Sequence, residues 1–204
     1  MFLILFFLSL RIAAAQPATA LIQLLSNIQT MQADFTQTIN EHKNKVLQQS
    51  TGHMALQRPG KFRWEVTQPV AQLIVAHNMQ LWIYDPALEQ VTVRLLNKEI
   101  GSTPALLLSD PHAAIAQNFK VQTIKNAASL QWFALFPKNV DNMLVFIKMG
   151  FSQGKLREID LQDHLGHNTV IEFYNVAFNR PLSASLFSFT PPPHVDVIDE
   201  TKNS

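Results

Sequence analysis

Cysteine is absent from the 204 residues, which removes disulfide stapling, thiol catalysis and any lipid anchor on an N-terminal cysteine. Stability must therefore come from a core, and a chain of this length buries most of the surface that it exposes when unfolded. Glycine is scarce, with six residues, and none forms a phosphate-cradling loop. Neither sign of charge dominates: 16 Lys and Arg against 15 Asp and Glu leave a formal +1. With no basic stripe interleaved with aromatics, nucleic-acid binding is excluded. Long apolar runs are also missing. The run from Phe2 to Leu10 is too short to span a bilayer, and Ala13-Ala14-Ala15 after it supplies the small-x-small pattern of a cleavable export signal. No lysine or arginine precedes that run, and Arg11 follows it. The expected organisation is a leader over residues 1–15 and one exported, soluble domain over 16–204.

What the chain does have is alternation. In Lys61 to Val66, Phe62, Trp64 and Val66 share one side and Lys61, Arg63 and Glu65 the other, the period of a half-buried strand. Leu73 and Val75, then Leu81 and Ile83, continue the pattern across turns at Gln68-Pro69 and His77-Asn78. Three such runs, each aiming large apolar side chains one way, imply a sheet that holds something greasy or is simply a packed core. Further strand signals fall at 35–39, 46–56, 91–95, 119–124, 130–136, 143–151, 156–161, 170–177 and 187–189, the spacing of an antiparallel meander. A sheet of about ten or more strands curls or splits rather than staying flat.

Helices interrupt this pattern twice. From Ala18 to Met31, the residues Leu21, Leu24, Leu25, Ile28 and Met31 recur at helical spacing. Between Ser102 and Gln117 two cap-and-proline starts, Ser102 or Thr103 before Pro104 and Asp110 before Pro111, predict two short helices. Placed over the sheet, these helices would cover its open side.

Catalytic chemistry has one candidate. Gly150-Phe151-Ser152-Gln153-Gly154 matches G-x-S-x-G, in which a serine on a strand-to-helix turn is a nucleophile. The K-L-R-E-I-D-L sequence after it alternates like a strand, however, so a hairpin turn is expected there. Asp163, His164 and His167 crowd the next turn, which leaves no separate element for each member of a triad. His164 and His167 could share a metal at i, i+3, yet Gly166 between them marks a surface turn, and a catalytic zinc wants three protein ligands. The chain reads as a binder that needs no cofactor and no metal.

Four segments taken together, R-P-x-x-F-x-W at Arg58 to Trp64, L-W-x-Y-D-P at Leu81 to Pro86, T-P-A-L-L-L-S at Thr103 to Ser109 and F-x-F-T-P-P at Phe187 to Pro192, with A-D-F-T-Q at Ala33 to Gln37, resemble the LolA family of outer-membrane lipoprotein carriers. The resemblance implies a mainly β fold with some α, an incomplete, unclosed antiparallel β-barrel covered by a lid of short helices. It also implies a monomeric periplasmic carrier of acylated lipoproteins, loaded by an inner-membrane ABC lipoprotein-releasing complex of the LolCDE type and unloaded to the outer-membrane receptor LolB. Arg58 becomes a latch toward the lid, with Leu25, Leu108 and Ser109 at the matching positions. Phe62 and Trp64, then Leu73, Val75, Leu81, Leu106 and Leu107, become the acyl-chain lining. Asn78 stands where the family commonly has a turn glycine, and His194 near the glycine that the resemblance leads one to expect after the prolines of P-P-P-H-V-D-V. A periplasmic scaffold or sensor, or another lipid shuttle of the same fold, is the alternative implied by the fold, and an esterase using Ser152 is a remote one.

Overall fold

The computed structural model describes residues 16–41, 45–96, 107–108, 111–124, 129–139 and 143–203. Helix α1 (Pro17–Ser26) comes first, with proline in its first turn, where a missing N–H costs nothing. Six strands follow: β1 (Thr30–Glu41), β2 (Lys45–Gln57), β3 (Lys61–Gln68), β4 (Gln72–His77), β5 (Gln80–Asp85) and β6 (Gln90–Leu95). Helix α2 (Pro111–Asn118) leads into β7 (Phe119–Ile124), β8 (Gln131–Pro137), β9 (Leu144–Ser152), β10 (Lys155–Asp163) and β11 (Asn168–Phe178); a 3-10 turn (Ala184–Phe187), β12 (Asp196–Asp199) and a second 3-10 turn (Glu200–Asn203) follow. All the strands join one sheet in the order β12-β6-β5-β4-β3-β2-β1-β11-β10-β9-β8-β7. Two meanders are thus zipped together by the antiparallel β1–β11 pair. The ends of the sheet, β12 and β7, do not pair, so the barrel is unclosed.

The strand signals from 35 to 177 each correspond to an observed strand, and α2 begins at Pro111, as the sequence predicts; Asp110 before it lies outside the described residues. The start at Ser102 to Pro104 and the export leader lie outside the described residues. Three expectations are corrected. The first helix does not reach Met31. It ends at Ser26 with Asn27 as its C-cap, and Asn179 holds the chain beyond it: its Oδ1 accepts from the Gln29 N–H at 2.8 Å and its Nδ2 donates to the Asn27 carbonyl at 2.9 Å. Ile28 and Met31 still reach the core, at 4% and 0% exposure, from a turn and a strand, so the apolar stripe outlasts the helix. Residues 187–189 form no strand; Phe187 ends the 3-10 turn. And β12, unexpected from its Asp-rich sequence, adds parallel to β6.

Close packing of the central strands depends on one glycine. Gly52 stands opposite Phe35, and a Cβ there would lie 1.9 Å from the Glu65 carbonyl oxygen and 2.7 Å from the Phe35 ring. The nearer neighbour is backbone and cannot rotate away. Gly52→Ala is therefore expected to cost about 3 kcal/mol, the upper end of overpacking penalties, as a lowered urea midpoint; a loss below about 1 kcal/mol would show that β2 and β3 part freely here.

Candidate functional site

Residues paired across an antiparallel ladder share a face, so the register sorts the sheet. Phe62 pairs with Ala76 and Ala76 with Leu81, placing a small residue between two large ones on the inner face. Trp64 lies two residues along and stacks on Phe35, ring centroids 3.7 Å apart at 19°, with Phe173 edge-on at 6.4 Å. Over these rings come leucines from short helical segments rather than a second sheet: Leu21 and Leu25 of α1, then Leu107 and Leu108, with Ala114 and Ile115 of α2, all in the same buried cluster. Helix α1 packs on α2 and β7. The arrangement is an aromatic floor under a roof of leucines carried on separate short pieces of chain.

Phe62, Trp64, Leu81, Leu25, Leu107 and Leu108, singled out from the sequence, meet in this cluster. Leu73 and Val75 do not. Leu73 pairs with Glu65 and Tyr84, and Val75 with Arg63 and Trp82, which sets both on the outer face. The one-residue offset of β4 against β3 cannot be read from alternation alone, because β4 is apolar on both faces. Val75 is nonetheless 1% exposed, because the C-terminal segment crosses there: the 3-10 turn packs on β3 and β4, and Phe189 lies 6.0 Å from Trp82 and 5.6 Å from Tyr84. The F-x-F-T-P-P segment is thus an outer strap. Leu106 and Ser109 lie outside the described residues. Arg58 sits in the β2–β3 turn, its N–H donating to the Gln29 carbonyl at 2.9 Å just past α1. Its Nε and Nη2 atoms are sealed from solvent, and the residue is not without a partner. Phe35, Phe173, Leu21 and Ile115 complete the site unforeseen as site residues. The signal for Phe35 was its place in A-D-F-T-Q, while Phe173 becomes inner only once β11 is known to pair with β1.

Ser152 closes the β9–β10 hairpin, paired with Lys155 around left-handed Gln153 and Gly154. Asp163 and His167 bond each other at 2.8 Å in the β10–β11 turn, at the far end of β10. A nine-residue strand separates the serine from the histidine by about 27 Å, so no triad can assemble. Among the described residues, no group of three His, Cys, Asp or Glu could hold a metal, and no helix is long and apolar enough to cross a membrane. A hollow of about 310 Å³ on the outer face is lined by Ile124, Trp132, Lys148, Glu158 and Asp160. Burial first, then the Glu172 and Asp160 carboxylates, push the Glu158 carboxyl above its ordinary pKa; Lys148, Glu158 and Asp160 give this hollow charged walls beside Ile124 and Trp132, unlike the inner face.

The family model for the outer membrane lipoprotein carrier protein LolA matches residues 26–190. The chain belongs to the LolA family. It is 40% identical over 176 residues to an outer-membrane lipoprotein carrier protein of Dechloromonas aromatica, covering 86% of this chain and 84% of that one. A carrier of the same name from Azotobacter vinelandii is 41% identical over 180 residues, covering 88% and 86%. Among solved structures, a LolA superfamily protein from Nitrosomonas europaea aligns with a TM-score of 0.50 at 13% identity over 86% of this chain and 99% of that one, a likeness of fold. Asn78 and His194 fall on left-handed backbone, with φ 51° and φ 68°. Asparagine tolerates that region, whereas for histidine it is uncommon.

Proposed function

We propose that this chain is a periplasmic carrier that shelters the acyl chains of lipoproteins between the two membranes, its leader 1–15 being removed on export. The observation that carries the reading is the inner face: Trp64, Phe35, Phe62 and Leu81 form a continuous apolar floor whose cover is a set of short helical segments. Such a cover can lift without breaking the sheet ladder. Each acyl CH₂ left in water costs about 0.8 kcal/mol, so a multiply acylated anchor cannot cross an aqueous compartment unaided. Sheltering those chains under a roof that separates from the floor lowers that barrier and leaves release possible. Membership of a family whose curated relatives are named lipoprotein carriers supports the same reading. Phe62, Trp64, Leu81, Leu106 and Leu107 are proposed to meet the chains; Leu73 and Val75, facing outward, are left out. Arg58 is proposed as the latch, acting with Leu25, Leu108 and Ser109, and the partners are a releasing ABC complex in the inner membrane and a receptor in the outer one.

The test is direct. A triacylated lipoprotein is mixed in detergent with the mature protein, the detergent is removed, and native mass spectrometry is recorded. A one-to-one complex is expected, and it should be missing when the lipoprotein lacks its acyl chains. Aggregated lipoprotein beside a bare carrier would overturn the reading.

A further inference from the structure

The strand register sends three neighbouring hairpin tips to one end of the sheet. Glu41 pairs with Lys45 at the β1–β2 tip, Asn40 sits level with Asn168 at the β10–β11 tip, and the His164 N–H donates to the Met143 carbonyl at 3.3 Å, joining that tip to the β8–β9 turn. Each tip carries a large apolar side chain in water: Val46 and Leu47 at 57% and 46% exposure, Leu165 at 76% and Met143 at 72%. The β1–β2 hairpin also outruns its neighbour, since its first pair with β3 is Thr51 to Gln68, so Val46 and Leu47 stand clear on that side. Val70 and Leu88 continue the series on the β3–β4 and β5–β6 tips, at 56% and 69%. Scattered exposed leucines are ordinary on any protein. Their recurrence on one hairpin tip after another at one end, about 10 Å apart across the sheet, is not scattered.

We propose that this row of tips is a docking edge for the lipid surface itself, entering the interface as separate apolar prongs. The inference rests on the carrier reading, because the proposed loading complex and receptor both sit at membrane surfaces, which the carrier must approach. Charge argues for a neutral interface. Among the described residues of these tips the cations Lys45 and Lys138 match the anions Glu41 and Asp163, while Lys45 reaches Glu41 at 3.8 Å and His167 holds Asp163. The described residues of the tips thus form no cationic patch for anionic headgroups, and attraction must come from the apolar prongs. Shape argues for lipid over protein: convex side chains on separate tips would need a matched socket each in a rigid partner, whereas a fluid interface accepts them one by one. Binding of this kind is weak and reversible, as a shuttle requires.

The experiment is flotation of the mature protein with vesicles of phosphatidylethanolamine and phosphatidylglycerol at three to one, and with phosphatidylcholine alone. Wild type should float partially with both, to the same extent at low and high salt. Leu47→Asp, Met143→Asp and Leu165→Asp should each lower the partition coefficient about tenfold, and the triple variant should stay at the bottom. Met79→Asp, at the opposite end of the sheet and 61% exposed, should float like wild type. No flotation of wild type, or equal loss from Met79→Asp, overturns the docking edge; so does a triple variant that floats normally. If the triple variant fails only in transfer to membranes that contain proteins, the edge is a protein contact and the lipid assignment is wrong. Loading of a fluorescent fatty acid in vesicle-free buffer is measured on the same samples. It should be unchanged in the tip variants, and its failure in wild type would count against the carrier reading alone.

Discussion

Trp64→Ala should lower the unfolding free energy by about 3 to 5 kcal/mol, the range for deleting a buried aromatic side chain, and should remove most acyl-chain loading from the molecules that remain folded. The side chain is 6% exposed and sits between two rings, stacked on Phe35 and struck edge-on by Phe173. Aromatic pairs of these geometries add about 0.5 to 1.5 kcal/mol each beyond burial, so the loss exceeds what area alone gives. The same indole forms the middle of the proposed acyl floor. Stability and loading are separable by comparison with Phe187→Ala, which removes an equally buried ring, 1% exposed, from the outer strap. Both variants should lose stability by kilocalories on a urea titration, but only Trp64→Ala should lose loading when both are assayed under conditions where they stay folded. If Trp64→Ala loads like wild type while remaining folded, the floor is structural core and the acyl chains bind elsewhere.

That contrast between Trp64 and Phe187 also marks where sequence reading succeeds and where it stops. Within β3 the alternation of Phe62, Trp64 and Val66 against Lys61, Arg63 and Glu65 is unambiguous, because one side is charged, and the inner face follows from the period of the strand. Between strands the information is thinner. The run Q-L-I-V-A-H that makes β4 is apolar on both sides, so nothing local says whether Leu73 and Val75 or Ile74 and Ala76 face Trp64; only the pairing of Trp64 with Ile74 decides it. The reason both faces of β4 are apolar is non-local as well: the strap bearing Phe187 and Phe189 arrives from more than a hundred residues away. In the same way the contacts of Asn179, following β11, hold Asn27 and Gln29 just past the first helix, although Asn27 itself, the C-cap, is a local stop signal that the apolar stripe running on to Met31 obscured. The existence of β1 to β11, turn chemistry at Gln153-Gly154 and the apolar character of the lid were legible because each is written in adjacent residues, whereas β12 and the 3-10 turn at Phe187 were not. Facing and strap are written in contacts.

The proposed latch carries the second large effect. Arg58→Leu should load lipoprotein at least as well as wild type and release it to an acceptor more slowly, by roughly ten- to a hundredfold, because each charged hydrogen bond that favours the closed lid contributes about 1.5 to 3 kcal/mol and the closed lid competes with the acyl chains for the same floor. The placement suits the role. Arg58 lies in the turn below the C-terminal end of α1, tied through its N–H to Gln29, and buries its Nε and Nη2 atoms against solvent. A surface arginine has no need to bury those atoms. A ligand shifts a two-state equilibrium only by its differential affinity for the two states, so weakening the closed form raises apparent affinity and, by the same factor, lowers the carrier-to-acceptor partition constant if a single lid equilibrium is at work. Arg58→Lys keeps the charge but loses the planar fork, and should fall between wild type and Arg58→Leu in both measurements. Transfer rates are followed with a fluorescently labelled lipoprotein moving from carrier to acceptor vesicles or receptor. Unchanged transfer in Arg58→Leu, with affinity also unchanged, would assign the arginine to holding the β2–β3 turn and leave the lid without a latch at this position.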